Sequence, residues 1–384
     1  MEALKNIKIL DLTRLLPGPF GTTILADLGA EVIKIESREE FDWARSLPAF
    51  FQTINRGKKS LSLNLKTDAG KEIFFRLLQK VDALAEQFRP GVMDKLGVGF
   101  EECQKHNPRL VYVSLSGYGA DGPYAQKAGH DLNYISLAGI SGATGTEQGE
   151  LAIPAVQIAD QTGGLYLVIA ILAGLNYARA KQSAIKIDVS IFESALSLIA
   201  PSLSHFLAAG QEPGPAGMEL TGLLANYRLY RTKDGRWLSF APLEGKFWTN
   251  FCHAAGKPEW QLRLFAGKDE QAKLKEELAA LFTTKTLSGW QDLIGKNPDL
   301  CLEPVRKFSE IEQDPQVQAR KLIAALKDQQ GREYKIVRSP IRFASGEQTQ
   351  VKPAAEMGQN TDQILGELGY SQEEIESFKK QGAV

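Results

Sequence analysis

Short apolar runs alternate with helically spaced segments through the first half of the chain. The run IKILDLT at 7–13 is typical of a buried strand, a Gly/Pro turn and a helix ending at Gly29 follow it, and EVIKIES at 31–37 forms a second strand. A strand, a helix and a second strand in this order are the unit of a parallel sheet with right-handed crossovers. The pattern recurs further along the chain, so it predicts a doubly wound α/β domain over residues 1–190.

The pattern changes in the second half. A stretch rich in Gly and Pro indicates a linker, which we place at 191–222, and two alternating runs around KDG predict a β-hairpin directly after it. Amphipathic helices follow, so residues 223–325 are predicted to form a smaller α+β domain. The C-terminal tail is helical, and its SQEE sequence, from Ser371 to Glu374, is typical of a capped helix start.

Composition limits the partners and the location. The 384 residues carry a formal net charge of −1, which gives no general attraction to nucleic acid or to an anionic membrane. The longest apolar run, at 165–175, is shorter than a bilayer span and predicts a buried helix. Three separated cysteines without a CxxC pair suit a reducing cytosol and predict neither disulfides nor a metal site. The N-terminus has no apolar signal core, so we expect a cytoplasmic protein.

The first strand, turn and helix resemble a nicotinamide-binding unit, with Glu36 where a ribose hydroxyl would be held. That fingerprint needs three spaced glycines, whereas Gly18 and Gly21 are separated by Pro19 and Phe20 and no third glycine follows at the right spacing. A proline in the turn also removes an N–H that a phosphate would use. The pattern therefore favours a sheet domain with a tight first turn over a dinucleotide site.

Three ionisable residues stand in unusual surroundings. His130 follows a long loop of small residues, Asp160 precedes an unusually apolar helix, and Glu244 follows the predicted hairpin. Ligands bind at the loops after the strands of an α/β sheet, so His130 is a candidate general base. Asp160 is a candidate base or nucleophile because burial raises carboxylate basicity, and Gly163 and Gly164 would let a substrate approach. Each residue also has a simpler interpretation: a packed or capping His130, an N-cap Asp160 and a solvated Glu244.

Long motifs that include these residues resemble the family III CoA transferases and, within them, the α-methylacyl-CoA racemases. The resemblance runs nearly end to end, and it is carried by LDLTRLLPGPFGTTILADLGAEVIKIE, NRGKKSLSLNLK, FRPGVMDKLGVG, LSGYGADGP, AGHDLNY, IADQTGG and YRTKDGRWLSFAPLE. It implies a Rossmann-like large α/β domain plus a smaller α+β domain in an interlocked homodimer. It also implies that residues 330–384 return to complete the large domain.

The resemblance implies two reactions that share Asp160. In a racemase, His130 and Asp160 are the acid and base on either side of the α-carbon, and Glu244, contributed by the partner chain, assists His130. In a CoA transferase, Asp160 is the nucleophile that attacks an acyl-CoA thioester. Transferases of the formyl-CoA type lack the histidine and carry a run of glycines before the hairpin, whereas this chain has ELTGLLANY with only Gly222. Many racemases keep two glycines there, so the sequence departs from both patterns, and it favours the racemase with the transferase as the alternative.

The resemblance also implies where CoA binds. Arg89 in FRPG matches a CoA-contacting position, and a guanidinium suits phosphate geometry. The basic turn NRGKK would meet the 3′-phosphate, although without the resemblance it would be interpreted as a solvated loop. CoA enters as part of the acyl-CoA substrate, so no separate cofactor is expected. The CoA-binding candidates are Arg89, Arg56, Lys58, Lys59, Gly129, Asp131 and Tyr134.

Overall fold

The structure is a computed structural model that describes residues 3–344 and 351–384. Short 3-10 helices occur at Trp43–Ser46, Glu219–Thr221 and Pro258–Arg263. The strands and α-helices follow in the order β1 (Lys8–Leu12), α1 (Pro17–Asp27), β2 (Glu31–Glu36), α2 (Pro48–Asn55), β3 (Lys59–Ser62), α3 (Asp68–Leu78), β4 (Ala83–Glu86), α4 (Val92–Lys95), α5 (Phe100–His106), β5 (Val111–Ser116), α6 (Asp131–Leu137), α7 (Ile140–Ala143), α8 (Ile158–Lys181), β6 (Ile185–Ser190), α9 (Ile191–Ala209), β7 (Arg228–Arg231), β8 (Trp237–Phe240), α10 (Gly245–Ala254), α11 (Lys268–Phe282), α12 (Leu287–Lys296), β9 (Leu302–Pro304), α13 (Phe308–Ile311), α14 (Pro315–Ala319), β10 (Ile323–Lys327), β11 (Glu333–Val337), α15 (Thr361–Glu367) and α16 (Gln372–Lys380).

The contacts divide the chain into two compact units. The large unit comprises Met1–Ala138, Ala155–Ile199 and Gln316–Val384, and the small unit comprises Gly139–Pro154 and Ala200–Pro315. The chain therefore leaves the large unit between α6 and α8 and again within α9, after Ile199, and the first excursion has no counterpart in the predicted boundaries. The hairpin of β10 and β11 belongs to the large unit, so the C-terminal return begins earlier than the predicted residue 330.

A six-stranded parallel sheet forms the centre of the large unit, in the order β3-β2-β1-β4-β5-β6. This is the doubly wound arrangement that the alternating pattern predicts, and its strand order reverses direction between β1 and β4. The C-terminal helices α15 and α16 bury Ile364, Leu365 and Ile375 in the same core as the strands. Ser371 accepts a hydrogen bond from the Glu374 N–H at the start of α16, so the predicted capping motif is confirmed.

Helices α1 and α8 cross at very close range. A Cβ atom on Gly21 would lie 2.5 Å from the carbonyl oxygen of Gly164, and one on Gly164 would lie 2.5 Å from that of Pro17. Helix α1 begins at Pro17, where a missing N–H costs nothing, so most of the predicted LPGPFG turn is helical. Gly163 packs on Ile191 of α9. Both glycines after Asp160 therefore serve helix packing, and the expectation that they admit substrate is wrong.

The small unit contains an antiparallel sheet in the order β7-β8-β9, covered by α10, α11 and α12. The predicted hairpin is confirmed, with Arg231 opposite Trp237 at the ends of β7 and β8. Its core is aromatic, since Phe240, Phe251 and Phe282 lie within 6 Å of one another between ring centroids. The segment predicted as linker at 191–222 begins with the 19-residue helix α9.

Two of the described helices, α8 and α9, are long and apolar enough to cross a membrane by length and composition. Helix α8 has 24 residues, so the apolar run at 165–175 is part of a longer element and the argument from its shortness is wrong. The most apolar window of α8 is 56% buried inside the protein, as in a core helix, whereas that of α9 is 17% buried.

Candidate active site

A cleft of about 410 Å³ opens at the carboxyl ends of β4 and β5 in the large unit. Its walls come from the loop after β4, from the turn after β5 and from the first residues of α6. This edge of a doubly wound sheet is where such folds bind ligands. Four predicted site residues line it, namely Arg89, Gly129, His130 and Tyr134.

His130 is the N-cap residue of α6, with extended backbone (φ −128°, ψ 172°). Its N–H donates a 3.0 Å hydrogen bond to Asn133 Oδ1, which fixes the backbone at the helix start. The residue itself is exposed on the cleft wall. The backbone is thus held at a helix start while the residue lines the cleft, which is the placement that a general base requires.

One carboxylate joins the first turns of α6 and α8. Asp131 Oδ1 accepts hydrogen bonds from the Ala159 N–H at 2.7 Å and the Asp160 N–H at 3.1 Å. The first N–H groups of a helix have no partner within it, and the cap residue Gln157 supplies no side-chain bond, so Asp131 satisfies them instead. His130 and Asp160 therefore stand at two helix starts that one side chain ties together.

Asp160 is the third residue of α8, so it lies inside the first turn and is not the N-cap that the simpler interpretation required. Burial and, to a smaller extent, the negative charge of Asp131 together raise the pKa of its carboxyl to about 7. No salt bridge to Asp160 occurs in the described part of the chain. A carboxyl group of this kind both holds and releases a proton near neutral pH.

Tyr134 organises the chain before His130. Its hydroxyl donates a 2.8 Å hydrogen bond to the carbonyl oxygen of Gly129, and a Cβ atom on Gly129 or Gly117 would meet its ring or hydroxyl within 3 Å. Burial raises the pKa of this phenol to about 12, with smaller contributions from Tyr118 and Asp160. Asp160 itself is not among the residues that line this cleft. Sequence reasoning missed Tyr118 and Gly117, although both lie in the LSGYG motif.

The basic turn is buried more than a phosphate-binding loop would be. Lys58 Nζ lies against Asp11 Oδ2 at 2.9 Å, and Thr22, Asn55 and the Pro19 carbonyl accept from it as well. This set leaves its ammonium no free N–H. Arg56 pairs with Asp27 and Lys59 with Glu31, so all three cations already have acidic partners. The prediction that Lys58 meets the 3′-phosphate of CoA is not supported by this geometry.

Glu244 lies in the small unit as the N-cap residue of α10. Its carbonyl oxygen accepts from the Trp248 N–H at 3.1 Å, which starts the helix. The catalytic role expected for it stays a prediction. No cluster of three or more His, Cys, Asp or Glu suited to a metal occurs in residues 3–344 and 351–384.

A doubly wound sheet whose carboxyl edge carries a cleft with a histidine, joined through Asp131 to a helix start with a high-pKa carboxyl, is typical of an α/β enzyme. The chain belongs to CoA-transferase family III, whose model matches residues 4–361. It is 34% identical to the acetyl-CoA:oxalate CoA-transferase of Acetobacter aceti, over 83% of this chain and 84% of that protein. It is 31% identical to the human α-methylacyl-CoA racemase, over 97% of this chain and 95% of that protein.

Solved structures agree with this assignment. A CAIB/BAIF family protein from Brucella suis superimposes with a TM-score of 0.82 at 28% identity, covering 95% of this chain and 99% of that one. The resemblance to the family seen in the sequence is confirmed. Racemases and CoA transferases both stand among the relatives at about 30% identity, so identity leaves the reaction within the superfamily open.

Proposed function

We propose that the chain epimerises 2-methylacyl-CoA thioesters by moving the α-proton. One of the two groups, His130 or Asp160, removes the proton as the Cα–H bond breaks and its electron pair enters the enolate. The other group then delivers a proton to the opposite face, which restores the C–H bond with inverted configuration. Two bases, one protonated and one not, are the minimum for such a reaction. The two groups end with their protonation states exchanged, and proton exchange with solvent or the reverse turnover restores the starting enzyme.

The observation that carries the proposal is the pair of helix starts joined by Asp131. His130 lies on the cleft wall, and Asp160 is bonded through its N–H to the residue that follows His130. Histidine exchanges protons near neutral pH, and the raised pKa of Asp160, about 7, gives the carboxyl a similar ability. A raised pKa suits a nucleophile as well as a base, so the feature that favours proton transfer over acyl transfer is the histidine on the cleft wall, for which the acyl-transfer route has no use.

The alternative is a CoA transferase in which the Asp160 carboxylate attacks the thioester carbonyl and CoA thiolate leaves. The similarity to an acetyl-CoA:oxalate CoA-transferase favours this second candidate. The mixed anhydride would then take up the thiolate to give an aspartyl-CoA thioester and release the first acid. This route uses no proton from the α-carbon, and this difference separates the two reactions experimentally.

The proposal includes a homodimer. Helix α8 exposes an apolar face with Leu165, Ile169 and Leu172 at 47%, 57% and 38%, and Tyr166 and Tyr177 flank it. Apolar surface of this extent on one helix is typical of an interface. A second copy of the chain would cover it and would bring Glu244 of the partner to the site, as the family resemblance implies.

The test is isotope exchange at the α-carbon. A panel of 2-methylacyl-CoA esters is incubated with the enzyme in deuterated water, and deuterium gain is followed by mass spectrometry. We expect exchange with at least one ester and a loss of about a hundredfold or more in His130→Ala, because a general acid–base group contributes on this scale. His253→Ala is the matched control, since His253 is an exposed histidine in the small unit.

The absence of exchange with every ester would overturn the racemase. The transferase would be supported instead if borohydride trapped a thioester at Asp160 and His130→Ala transferred CoA at the wild-type rate. We propose Arg89, Gly129 and Tyr134 as CoA contacts, because these three residues line the same cleft as His130.

A further inference from the structure

The chain between α6 and α8 forms a small hairpin that belongs to the small unit. The Ala152 N–H donates to the Thr144 carbonyl at 3.1 Å, the Thr146 N–H donates to the Glu150 carbonyl at 2.8 Å, and Gly145 bridges to Leu151. We name residues 144–152 the connecting hairpin. His130 precedes it and Asp160 follows it, so it is the only covalent path between the two proposed proton-transfer groups.

Glu147 lies at the tip of the connecting hairpin and is held by two cations. Arg228 on β7 makes a two-pronged contact, Nη1 to Oε1 at 2.6 Å and Nη2 to Oε2 at 3.0 Å. Lys275 on α11 also binds Oε1. The hydrogen bonds from Arg228 lower the pKa of Glu147 to about 2, so the ion pairs persist throughout the physiological range. Two elements of the small unit, β7 and α11, therefore bind the same carboxylate of the connecting hairpin.

Arg228 extends the contact to a second loop. Its Nη1 also donates to the carbonyl of Gly222 at 3.1 Å, and Gly222 has a left-handed backbone (φ +118°) at the end of a 3-10 helix. One guanidinium thus fixes the connecting hairpin and the loop before β7. A planar, forked cation suits such a junction better than a single ammonium would.

We propose that Glu147 is a positioning residue that sets the placement of His130 and Asp160 by anchoring the connecting hairpin to Arg228 and Lys275. The inference rests on the proposed proton-transfer function of those two groups. Partly exposed ion pairs contribute little to global stability, so loss of this anchor affects the geometry at the two ends of the hairpin more than the folding of the chain. Small displacements at a reacting centre lower rates strongly, because proton transfer needs close approach.

The test compares Glu147→Gln with Glu277→Gln. Glu277 makes an equivalent two-pronged pair with Arg263, at 2.6 and 3.1 Å, but lies on α11 away from the hairpin sequence. We expect Glu147→Gln to lower kcat for α-proton exchange about tenfold with KM within twofold. We expect Glu277→Gln to leave both values at wild type and Glu147→Asp, which keeps the charge, to recover part of the loss.

Amide hydrogen exchange gives a readout that does not depend on the reaction. The Ala159 and Asp160 amides, which bond to Asp131, should exchange faster in Glu147→Gln than in wild type or Glu277→Gln, at unchanged melting temperature. Equal protection of these amides in both variants would overturn the inference, whatever the enzyme catalyses. Faster exchange in an enzyme that shows no α-proton exchange would keep the anchor and discard only the proposed reaction.

Discussion

Asp11 is fully buried and Asp160 is half-buried in the large unit, and their surroundings shift the pKa values of the two carboxyl groups in opposite directions. Asp11, on β1, accepts hydrogen bonds from Thr13 at 2.5 Å, Thr22 at 2.6 Å and Lys58 at 2.9 Å. Burial alone would raise its pKa, but the charges of Lys58 and Lys34 hold that pKa well below the ordinary value. Asp11 is therefore a permanent anion that fastens β1 to the chain before β3.

Asp160 is half-buried and has no salt bridge in the described part of the chain. Partial burial and the charge of another carboxylate, Asp131, raise its pKa to about 7. The difference shows that the charged neighbours of an aspartate decide whether it stabilises the fold or can take part in a reaction. A buried carboxylate with ammonium partners contributes its charge to the fold, whereas one beside a like charge keeps an affinity for protons that a reaction can use.

Neutralising each carboxylate should separate the two roles. We expect Asp160→Asn to lower α-proton exchange about a thousandfold, because the amide neither accepts nor delivers the proton. Its melting temperature should stay at or slightly above that of wild type, since a like-charge contact is removed. Steady-state exchange rates and thermal unfolding provide the two readouts. Wild-type exchange in this variant would contradict an acid–base role for Asp160.

Asp11→Asn should give the opposite result. Removing one partner of a buried ion pair leaves Lys58 uncompensated and costs about 3–5 kcal/mol of unfolding free energy. Denaturant unfolding measures this loss, and the folded fraction should retain exchange activity per molecule. Asp299→Asn, which breaks the exposed pair with Lys246, is the control and should cost little. A stable Asp11→Asn protein without activity would place Asp11 in the chemistry instead.

The contrast between Asp11 and Asp160 depends on contacts between distant residues, whereas the features that could be predicted from the sequence have a local signal. The parallel sheet and the β7–β8 hairpin follow from local patterns, and His130 and Asp160 were found by their small and apolar neighbours. The bond from Asp131 to the Asp160 N–H joins residues 29 apart and has no local signal. Lys58 was assigned to CoA binding because a lysine with four buried acceptors has the same sequence context as an exposed one that could meet a phosphate. The close crossing at Gly21 and Gly164 likewise depends on packing between distant helices.

The charge of Asp131 can be removed without removing its hydrogen-bond acceptor. In Asp131→Asn the amide oxygen can still accept from the Ala159 and Asp160 N–H groups, so the helix starts stay joined. Because the negative charge of Asp131 raises the pKa of Asp160, its loss lowers that pKa. We expect the limb of the kcat/KM profile that reports Asp160 to move to lower pH, with a rate loss smaller than that of Asp160→Asn.

The comparison for this variant is Asp131→Ala, which removes the acceptor as well. It should show the same shift in pH together with a lower melting temperature, because the first N–H groups of α8 lose their partner. A pH profile in Asp131→Asn that matches wild type would mean that burial alone sets the proton affinity of Asp160.

The smallest expected effect lies at Tyr134, where the hydroxyl fixes a carbonyl and not a reacting group. Tyr134→Phe keeps the ring packed against Gly117 and Gly129 but removes the 2.8 Å hydrogen bond to the Gly129 carbonyl. One such bond contributes about 0.5–1.5 kcal/mol, so we expect a small loss of stability and a severalfold fall in kcat at unchanged pH dependence. Tyr334→Phe, which removes a 3.1 Å hydrogen bond to Asp328 on the β10–β11 hairpin, is the matched control. If Tyr134→Phe instead abolished exchange with its stability intact, the phenol itself would have to contact the thioester, and the two-group scheme of His130 and Asp160 would need a third participant.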